Sequence, residues 1–498
     1  MTVLSSASSF SSSLITFFLL FSSIITLTTS TSPTFIKFLN FSLQNLIYSS
    51  PSTPKPNFII TPTHASHIQD VVRCSKANGF QVRVRSGGHD YEGVSYVSDT
   101  PFVIVDLIHF RKVSVDVKDE TSWVEAGATI GEVYYHISKH SDRHGFPAGV
   151  CPTVGVGGHI SGGGMGFLMR KYGVAADNVL DAEIVDVNGK LLNRKSMGED
   201  LFWAVRGGGG ANFGVIVSWK IRLVRVLKVV TVFNVPIRLE EGATTLFFKW
   251  QNEAHRFHED LFMRTIIQVK NPNANKTIEV LFNSIFFGTV EKLLPLMEKS
   301  FPELGLERIN CMEMSWVNST LHNAQLYGEP IEILLNRDHP KTYFKGKSDF
   351  VKKAISIADL DKIWKIMLDG DDKSPVLIND PFGGRMNEIA ENEIPFPHRS
   401  DWKDGKKSPE YIDTIRRLHK YMGRHVSKSP RGAFLNYKDF DLGVNTDING
   451  IGRYLKARNS WGAIYFKNNF ERLAMVKNKV DPENFFWNQQ SIPPLSSV

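Results

Sequence analysis

The chain has 498 residues, of which 42% are hydrophobic and 22% charged, and this composition is typical of a globular protein with two or three domains. Its formal net charge of +7 comes without a run of five basic residues and without a basic stripe interleaved with aromatic side chains. The composition therefore gives no indication of nucleic-acid binding.

Residues 1–30 are predicted to be a cleavable secretory signal peptide. Leu14 to Leu27 form an apolar block that is short for a bilayer span, and small polar residues follow it. No Lys or Arg precedes the block, so an uncleaved anchor is the alternative. The acceptor triplets at Asn40, Asn275 and Asn318 agree with a secreted glycoprotein of the extracellular space, cell wall or vacuole, without stable membrane insertion.

From Phe58 to about Leu227, short β-type runs alternate with helical ones, which predicts an α+β fold. A helix is expected over Ile130–Lys139, and Glu183 to Arg194 is expected to be a hairpin closed on Asn188-Gly189. The predicted strands of this zone are Phe58–Ile60, Val82–Arg85, Val103–Leu107 and Trp123–Glu125.

The next zone, residues 228–430, lacks glycine runs, which favours a substrate domain. It combines a predicted strand over Thr277–Phe287 with amphipathic helices over Val290–Ser300 and Ile355–Leu368. The remaining residues to 498 carry aromatic-rich strand and helix patterns.

Three glycine clusters indicate a ligand with phosphate groups: Arg85–Gly93, Gly149–Gly166 and Arg206–Gly214. Successive glycines allow backbone N–H groups to converge on a diphosphate. None of the clusters fits G-x-G-x-x-G or G-x-x-x-x-G-K-[ST], so neither a Rossmann NAD site nor a P-loop is predicted. Each cluster alone could be an ordinary tight loop.

The three cysteines, Cys74, Cys151 and Cys311, are an odd number for a secreted protein. At least one must be free, paired with another chain or chemically committed elsewhere. The alternative is that all three are small buried apolar residues.

Four motifs carry a further signal: R-S-G-G-H-D-Y-E-G around His89, C-P-T-V-G-V-G-G-H-I-S-G-G-G-M-G from Cys151, residues Gly198 to Gly214, and the end D-P-E-N-F-F with Q-S-I-P-P. Together they closely resemble the plant berberine bridge enzyme-like family, a branch of the vanillyl-alcohol oxidase and p-cresol methylhydroxylase type of flavoproteins. The resemblance extends from about Thr53 to Leu495.

This resemblance implies FAD attached by two covalent bonds, 8α-histidyl at His89 and 6-S-cysteinyl at Cys151, with no metal. Without the family, His89 could be a loop histidine that only makes hydrogen bonds. The other cofactor-binding residues implied are Arg85, Ser86, Gly87, Gly88, Asp90, Gly149, Val154, Gly155, Gly157, Gly158, His159, Ser161, Gly162, Gly163, Gly164, Gly208, Gly209, Asn212, Phe213, Gly214 and Val215.

The resemblance also implies a fold and an activity. We expect a two-lobed FAD-binding domain over 53–227, an α/β substrate domain over 228–430 with an antiparallel sheet covered by helices, and a segment 431–498 that returns to the FAD domain. Tyr437 is expected to be the catalytic base and Tyr91 a second active-site residue, although each could be a core tyrosine.

The expected reaction is hydride transfer from an alcohol, sugar, phenolic or alkaloid to FAD and then to O2, giving H2O2 in a secreted, monomeric oxidase. Val154 is the smaller residue of oxygen-reactive relatives, which favours an oxidase over a dehydrogenase.

Two departures from the family lead to an alternative. Where relatives continue into a strand carrying Glu or Gln, this chain passes from Ser400 to Trp402 within two residues. About ten residues are expected to be missing, and with them a central strand of the sheet. The protein could then be a catalytically impaired paralogue, or a truncated gene model, that retains FAD binding. The usual cysteine partner of Cys74 is also absent, so Cys74 is predicted to be a free thiol.

Overall fold

The computed structural model describes residues 2–5, 36, 39–40, 43–271, 275–338, 340–370, 375–399, 402–408, 412–428, 430–445 and 450–495. For residues 2–5, 402–408, 412 and 450 it describes the backbone alone. The apolar block of the predicted signal peptide lies outside the described residues. Within them, none of the helices has both the length and the hydrophobicity of a membrane span.

The first sheet has four strands in the order β1-β2-β4-β3. Strands β2 and β3 run parallel to β4, and β1 is antiparallel to β2. Helix α1, Ala65–Ala77, connects β2 to β3 and buries Ile68, Val71 and Val72. The strands are β1 Thr2–Ser5, β2 Phe58–Thr61, β3 Gln81–Arg85 and β4 Phe102–Asp106.

The second sheet has five antiparallel strands in the order β5-β6-β10-β8-β9. Its strands are β5 Val113–Asp116, β6 Thr121–Glu125, β8 Val179–Val185, β9 Leu191–Leu192 and β10 Val215–Arg222. A small ribbon pairs β7, His144–Gly145, with β11, Val224–Arg225. The helices are α2 Ile130–His140, α3 Val156–Ser161, α4 Met169–Tyr172 and α5 Arg194–Val205.

Local sequence signals explain the boundaries of these elements. Thr129 and Glu132 form a reciprocal capping box at the start of α2, which confirms the predicted helix. The turn at Asn188-Gly189 is also confirmed, with Gly189 at φ +70°. The hairpin ends earlier than predicted because the Asn193 side chain accepts the Ser196 N–H and starts α5.

The third sheet has seven antiparallel strands in the order β15-β12-β14-β13-β17-β18-β16. Its strands are β12 Val230–Arg238, β13 Leu261–Lys270, β14 Thr277–Phe286, β15 Cys311–Met314, β16 Lys345–Val351, β17 Val376–Asp380 and β18 Trp402–Ser408. The helices of this region are α6 Ala243–Glu253, α7 Val290–Ser300, α8 Trp316–Asn323, α9 Ile357–Leu368 and α10 Ile412–Met422. Helices α11 Gly450–Ala457, α12 Ala463–Phe466 and α13 Asn469–Val480 follow.

The expected loss of a central strand is wrong. Strand β18 follows directly after the short junction at Ser400 and fills the position between β17 and β16. All seven of its residues pair with β16, and five pair with β17. Ladder hydrogen bonds are made by backbone groups, so the residues after the junction complete the sheet whatever their side chains are.

The buried apolar side chains form two large clusters. One is built mainly from residues between Phe58 and Val232 and from residues 433–492 of the chain end, and it also includes residues between 262 and 396, such as Phe262, Phe350 and Phe396. The other lies on the helix-covered face of the third sheet and runs from Phe233 to Val426. The chain end thus shares its core with the first two sheets, although it follows the third sheet in sequence.

Candidate functional site

The loops that carry His89 and Cys151 lie against each other. A Cβ on Gly87 would fall on the backbone of Gly155, so this approach requires glycine. His89 Nε2 is 3.0 Å from the Thr153 hydroxyl, within the Cys151 loop. Cys151 is half-buried and forms no disulfide. The structure therefore brings the two predicted attachment residues into neighbouring loops joined by a hydrogen bond.

Three predicted cofactor-binding residues use their side chains to shape the first loop. Arg85 is fully buried and donates to Asp106 at 2.6 and 2.9 Å and to the Leu39 carbonyl at 2.7 Å. Ser86 donates to the Ala126 carbonyl at 2.6 Å. Asp90 accepts two backbone N–H groups of the turn that follows it, each at 3.0 Å. These side chains support the loop.

The second glycine cluster is crowded on one side and open on the other. A Cβ on Gly157 would meet the Ala126 carbonyl, and one on Gly162 would fall on the Asn436 side chain. Gly158, in contrast, is exposed, and a Cβ there would meet no heavy atom within 4 Å. Gly163 and Gly164 have φ of +111° and +78°, which other residues rarely adopt. The cluster thus forms a cradle whose open face lies at Gly158.

The polar residues of this cluster fix its own backbone. His159 Nε2 accepts the Gly149 N–H at 3.1 Å, and the Ser161 hydroxyl donates to the Gly157 carbonyl at 2.6 Å. The Gly209 N–H donates to the Ser161 carbonyl at 2.8 Å, which joins the second cluster to the third.

The third glycine cluster is held by the chain end. Asn212 donates to the Gly208 carbonyl at 2.7 Å. The ammonium group of Lys477, which is fully buried, donates to the Asn212 carbonyl at 2.6 Å, to Asp481 at 2.6 Å and to the Phe486 carbonyl at 3.0 Å. Burial lowers the pKa of Lys477 to about 8, although Asp481 opposes this. Behind the loop, Phe213 is buried, a Cβ on Gly214 would meet the Val185 carbonyl, and Val215 begins β10.

The two predicted catalytic tyrosines stack on each other. The rings of Tyr91 and Tyr437 are nearly parallel, at 10°, with centroids 5.0 Å apart. Phe344 packs edge-on against Tyr91 at 4.9 Å, and Phe434 packs edge-on against Tyr437 at 5.4 Å. Two residues from opposite ends of the chain thus form one aromatic pair.

Neighbouring residues attach this pair to the glycine loops and to the third sheet. Asn436 donates to the His159 carbonyl at 2.9 Å, and the Ser348 hydroxyl on β16 accepts the Phe434 N–H at 2.8 Å. Sequence reasoning missed Thr153, Asn436 and Ser348 as supporting residues. Thr153 lies inside the quoted motif that begins at Cys151, and Asn436 directly precedes Tyr437, so both could have been found there, whereas Ser348 carries no local signal.

The chain matches two sequence families. Residues 56–194 match the FAD binding domain, and residues 433–493 match berberine and berberine-like proteins. Tetrahydroberberine oxidase of Argemone mexicana is 52% identical over 485 residues, which cover 94% of this chain and 89% of that protein.

Two solved structures have a fold similar to that of this chain. BBE-like 28 of Arabidopsis thaliana has a TM-score of 0.91 and 45% identity, covering 94% of this chain and 98% of that one. Wild-type Phl p 4.0202, described as a glucose dehydrogenase, has a TM-score of 0.89 and 42% identity, covering 94% and 96%.

The three sheets, the glycine cradle and these matches define an FAD-dependent oxidoreductase with an α+β fold of two lobes and a substrate-side sheet. The chain belongs to the berberine bridge enzyme-like family of plant FAD-dependent oxidases. Its residues fit the cofactor, because the cradle opens at Gly158 and the two candidate attachment residues lie in loops that touch.

Proposed function

We propose that this protein is a secreted oxidase that carries bicovalent FAD, oxidises a small organic substrate and transfers the electrons to O2, giving H2O2. The observation that carries the proposal is the stacked pair of Tyr91 and Tyr437 beside the His89 and Cys151 loops. When bound, FAD supplies the hydride acceptor and the reaction with O2.

His89 and Cys151 are the proposed attachment residues. Thr153 holds the His89 ring through Nε2, so one hydrogen bond orients the imidazole with respect to the cysteine loop. The protein is expected to be yellow, and the colour should stay with the chain after acid precipitation. His89→Ala and Cys151→Ala should each keep one bond. Flavin released by acid from the unchanged protein would contradict bicovalent attachment.

Tyr437 is the proposed base, and Tyr91 helps to position the substrate. A phenol with a pKa near 10 accepts a proton near neutrality only when its surroundings favour the phenolate, so its position matters. Asn436 and Phe434 fix the short helical turn that carries Tyr437. In this proposal, the fixed turn holds the phenol oxygen of Tyr437 for proton transfer from the substrate.

Oxidase activity is favoured by Val154. Wild-type Phl p 4.0202 is described as a glucose dehydrogenase, and so is its variant with an asparagine-to-histidine change alone. Its variant with an isoleucine-to-valine change alone is described as a glucose oxidase. In the double variant the two changed residues are five positions apart, as Val154 and His159 are here, so Val154 is the candidate counterpart of the valine in the oxidase variants.

The direct test is anaerobic mixing of the holoprotein with a panel of substrates while flavin absorbance near 450 nm is followed. The panel contains tetrahydroberberine, glucose, alcohols and monolignol-type phenols, because relatives bear names of these classes. Tyr437→Phe should retain covalent flavin and slow its reduction by roughly 10²–10⁴-fold, the usual effect of a positioned base. A flavin that dithionite bleaches but no panel member reduces would instead support the impaired paralogue.

The proposal includes the secretory route and the division of the chain. We assign residues 53–227 and 431–498 to the FAD-binding part and 228–430 to the substrate part. The second core cluster, from Phe233 to Val426, lies within the substrate part, and the first joins the chain end to residues 58–232. Edman sequencing of the mature protein should start near residue 30. Cleavage there removes β1 and leaves β2, β4 and β3 as the first sheet. Cys74 and Cys311 form no disulfide, so thiol counting on the denatured holoprotein should find both reactive and Cys151 blocked.

A further inference from the structure

A row of alternating charges is buried beside the tyrosine pair. Lys345, at the start of β16, contacts Glu92 on one side and Asp439 at 2.8 Å on the other. Lys347, two residues along the strand, contacts Asp439 at 2.6 Å and Asp441 at 2.7 Å. Lys345, Glu92, Asp439 and Lys347 expose 9% or less of their side chains. We refer to these five residues as the charge row.

Each end of the charge row is closed by a further partner. At one end, the Tyr48 hydroxyl donates to Glu92 at 3.0 Å, and the Phe440 N–H donates to the same carboxylate at 3.0 Å. At the other end, Arg416 of α10 donates to both oxygens of Asp441, at 2.7 and 2.9 Å. With Arg416 included, the charge row contains three carboxylates and three cations. Its net charge is therefore zero, and it adds no net charge beside the two tyrosines.

The charge row joins the two chain segments that carry the tyrosines. Glu92 directly follows Tyr91, and Asp439 lies two residues after Tyr437. Lys345 is in contact with both carboxylates, so one side chain on the third sheet links the Tyr91 loop to the Tyr437 turn. The stacked rings of Tyr91 and Tyr437, with centroids 5.0 Å apart, lie on the two segments that Lys345 joins.

Stability alone is a poor explanation for such a row. Burying ion pairs carries a desolvation cost that the attraction often only balances, while removing one partner leaves an uncompensated charge. Burial raises the pKa of Glu92 even though Lys345 opposes it. For Lys345, burial alone would lower the pKa, but Asp439 and Glu92 outweigh it and raise the pKa, so the ammonium keeps its proton. A buried row of ion pairs is most useful where it holds neighbouring chain segments in a fixed relative position.

We propose that Lys345 is a positioning residue for the oxidation, which acts through Glu92 and Asp439 to hold Tyr91 and Tyr437 in register. The proposal rests on the proposed function, because it gives Tyr437 the role of base. If Lys345 acts through Tyr437, its replacement should slow flavin reduction only in a protein that still contains Tyr437.

A double-mutant cycle on flavin reduction tests this dependence. Lys345→Met should slow reduction at saturating substrate by roughly 10–100-fold, because displacement of a reacting group by about 1 Å has effects of this size. The same change made in a Tyr437→Phe background should slow it by less than about threefold. Lys345→Arg should restore most of the rate, since it keeps a cation between the two carboxylates. Full slowing in both backgrounds would overturn the proposal.

Asp349→Asn is the matched control. Asp349 is also on β16, is fully buried and forms a two-bond pair with Arg431 at 2.5 and 2.8 Å. Arg431 lies six residues before Tyr437 and outside its turn, Leu435–Tyr437, so this pair does not join that turn to the Tyr91 loop. Asp349→Asn should lower the unfolding temperature without changing the rate of flavin reduction. If Lys345→Met does not fold, Glu92→Gln combined with Lys345→Met removes both charges together and takes its place in the cycle.

A second readout does not depend on activity. In protein labelled with ¹³Cζ-tyrosine, the signals of Tyr91 and Tyr437 are assigned from their Tyr→Phe variants. Lys345→Met should shift both signals, whereas Asp349→Asn should shift neither. Unchanged signals in Lys345→Met would overturn the positioning role. If no substrate reduces the unchanged protein, the proposed function fails, and these spectra still decide the role of Lys345.

Discussion

Two junctions of this molecule fix glycine-rich loops by different physical means. The His89 and Cys151 loops meet through bare backbone at Gly87 and Gly155 and through the hydrogen bond between the His89 ring and the Thr153 hydroxyl. The third glycine cluster is held instead by a buried ammonium group, Lys477, that reaches from α13. The first junction is therefore sensitive to added volume, and the second to charge and pH.

Among the tests that compare the two junctions, removal of the buried Lys477 ammonium group is expected to have the largest effect. Lys477→Met should destabilise the protein by about 3–5 kcal/mol, because Asp481 is left as an unpaired buried charge and two carbonyls lose their donor. Thermal or urea unfolding measures the change. Adding Asp481→Asn to Lys477→Met should recover part of the loss, and equal stability of the single and double variants would contradict this account.

The pH dependence of stability should show the same lysine. Its pKa falls from an ordinary value of 10.5 to about 8 on folding, so between these values the unfolded chain binds more protons than the folded one. The contribution of Lys477 to stability should therefore rise with pH across this window, by about 3 kcal/mol in all. Unfolding curves of the unchanged protein, compared with the Lys477→Met and Asp481→Asn double variant from pH 7 to 10.5, isolate the effect. A flat difference would show that the lysine is not desolvated.

The junction between the His89 and Cys151 loops should respond to a single methyl group. Gly87→Ala places a Cβ on the backbone of Gly155 and Thr153, which cannot move as a side chain can, and should cost about 1–3 kcal/mol. Separation of the loops should also reduce the fraction of doubly attached flavin. Gly158→Ala is the matched control, because its Cβ meets no atom of the protein within 4 Å. The apo form of that variant should be as stable as the unchanged protein.

The smallest effect is expected where the obstructing group is a flexible side chain. Gly162→Ala should displace the Asn436 amide and break its bond to the His159 carbonyl, at a cost of about 1 kcal/mol. Tyr437 directly follows Asn436. The activation free energy of flavin reduction should therefore rise by more than the free energy of unfolding falls. In an Asn436→Ala background, where the space is free, Gly162→Ala should cost almost nothing, and a full additive cost would exclude this explanation.

Much of the fold was predictable because its signals are local. The helix over Ile130–Lys139 and the turn at Asn188-Gly189 follow from the sequence, since each depends on residues a few positions apart. The missing strand was predicted wrongly for the opposite reason. Strand β18 is specified by the two strands beside it, which lie far away in the sequence.

The sequence by itself determined the family, the cofactor class and the candidate attachment residues, His89 and Cys151, because these depend on residue types in short motifs. Only the tertiary structure showed that Tyr91 stacks on Tyr437, that Lys345 links their segments, and that Lys477 holds the third glycine cluster. The physical reason is that each of these contacts joins residues from distant parts of the chain. These residues become buried only when the sheets pack. Burial strengthens the interactions between the charged groups and fixes the arrangement of the aromatic rings.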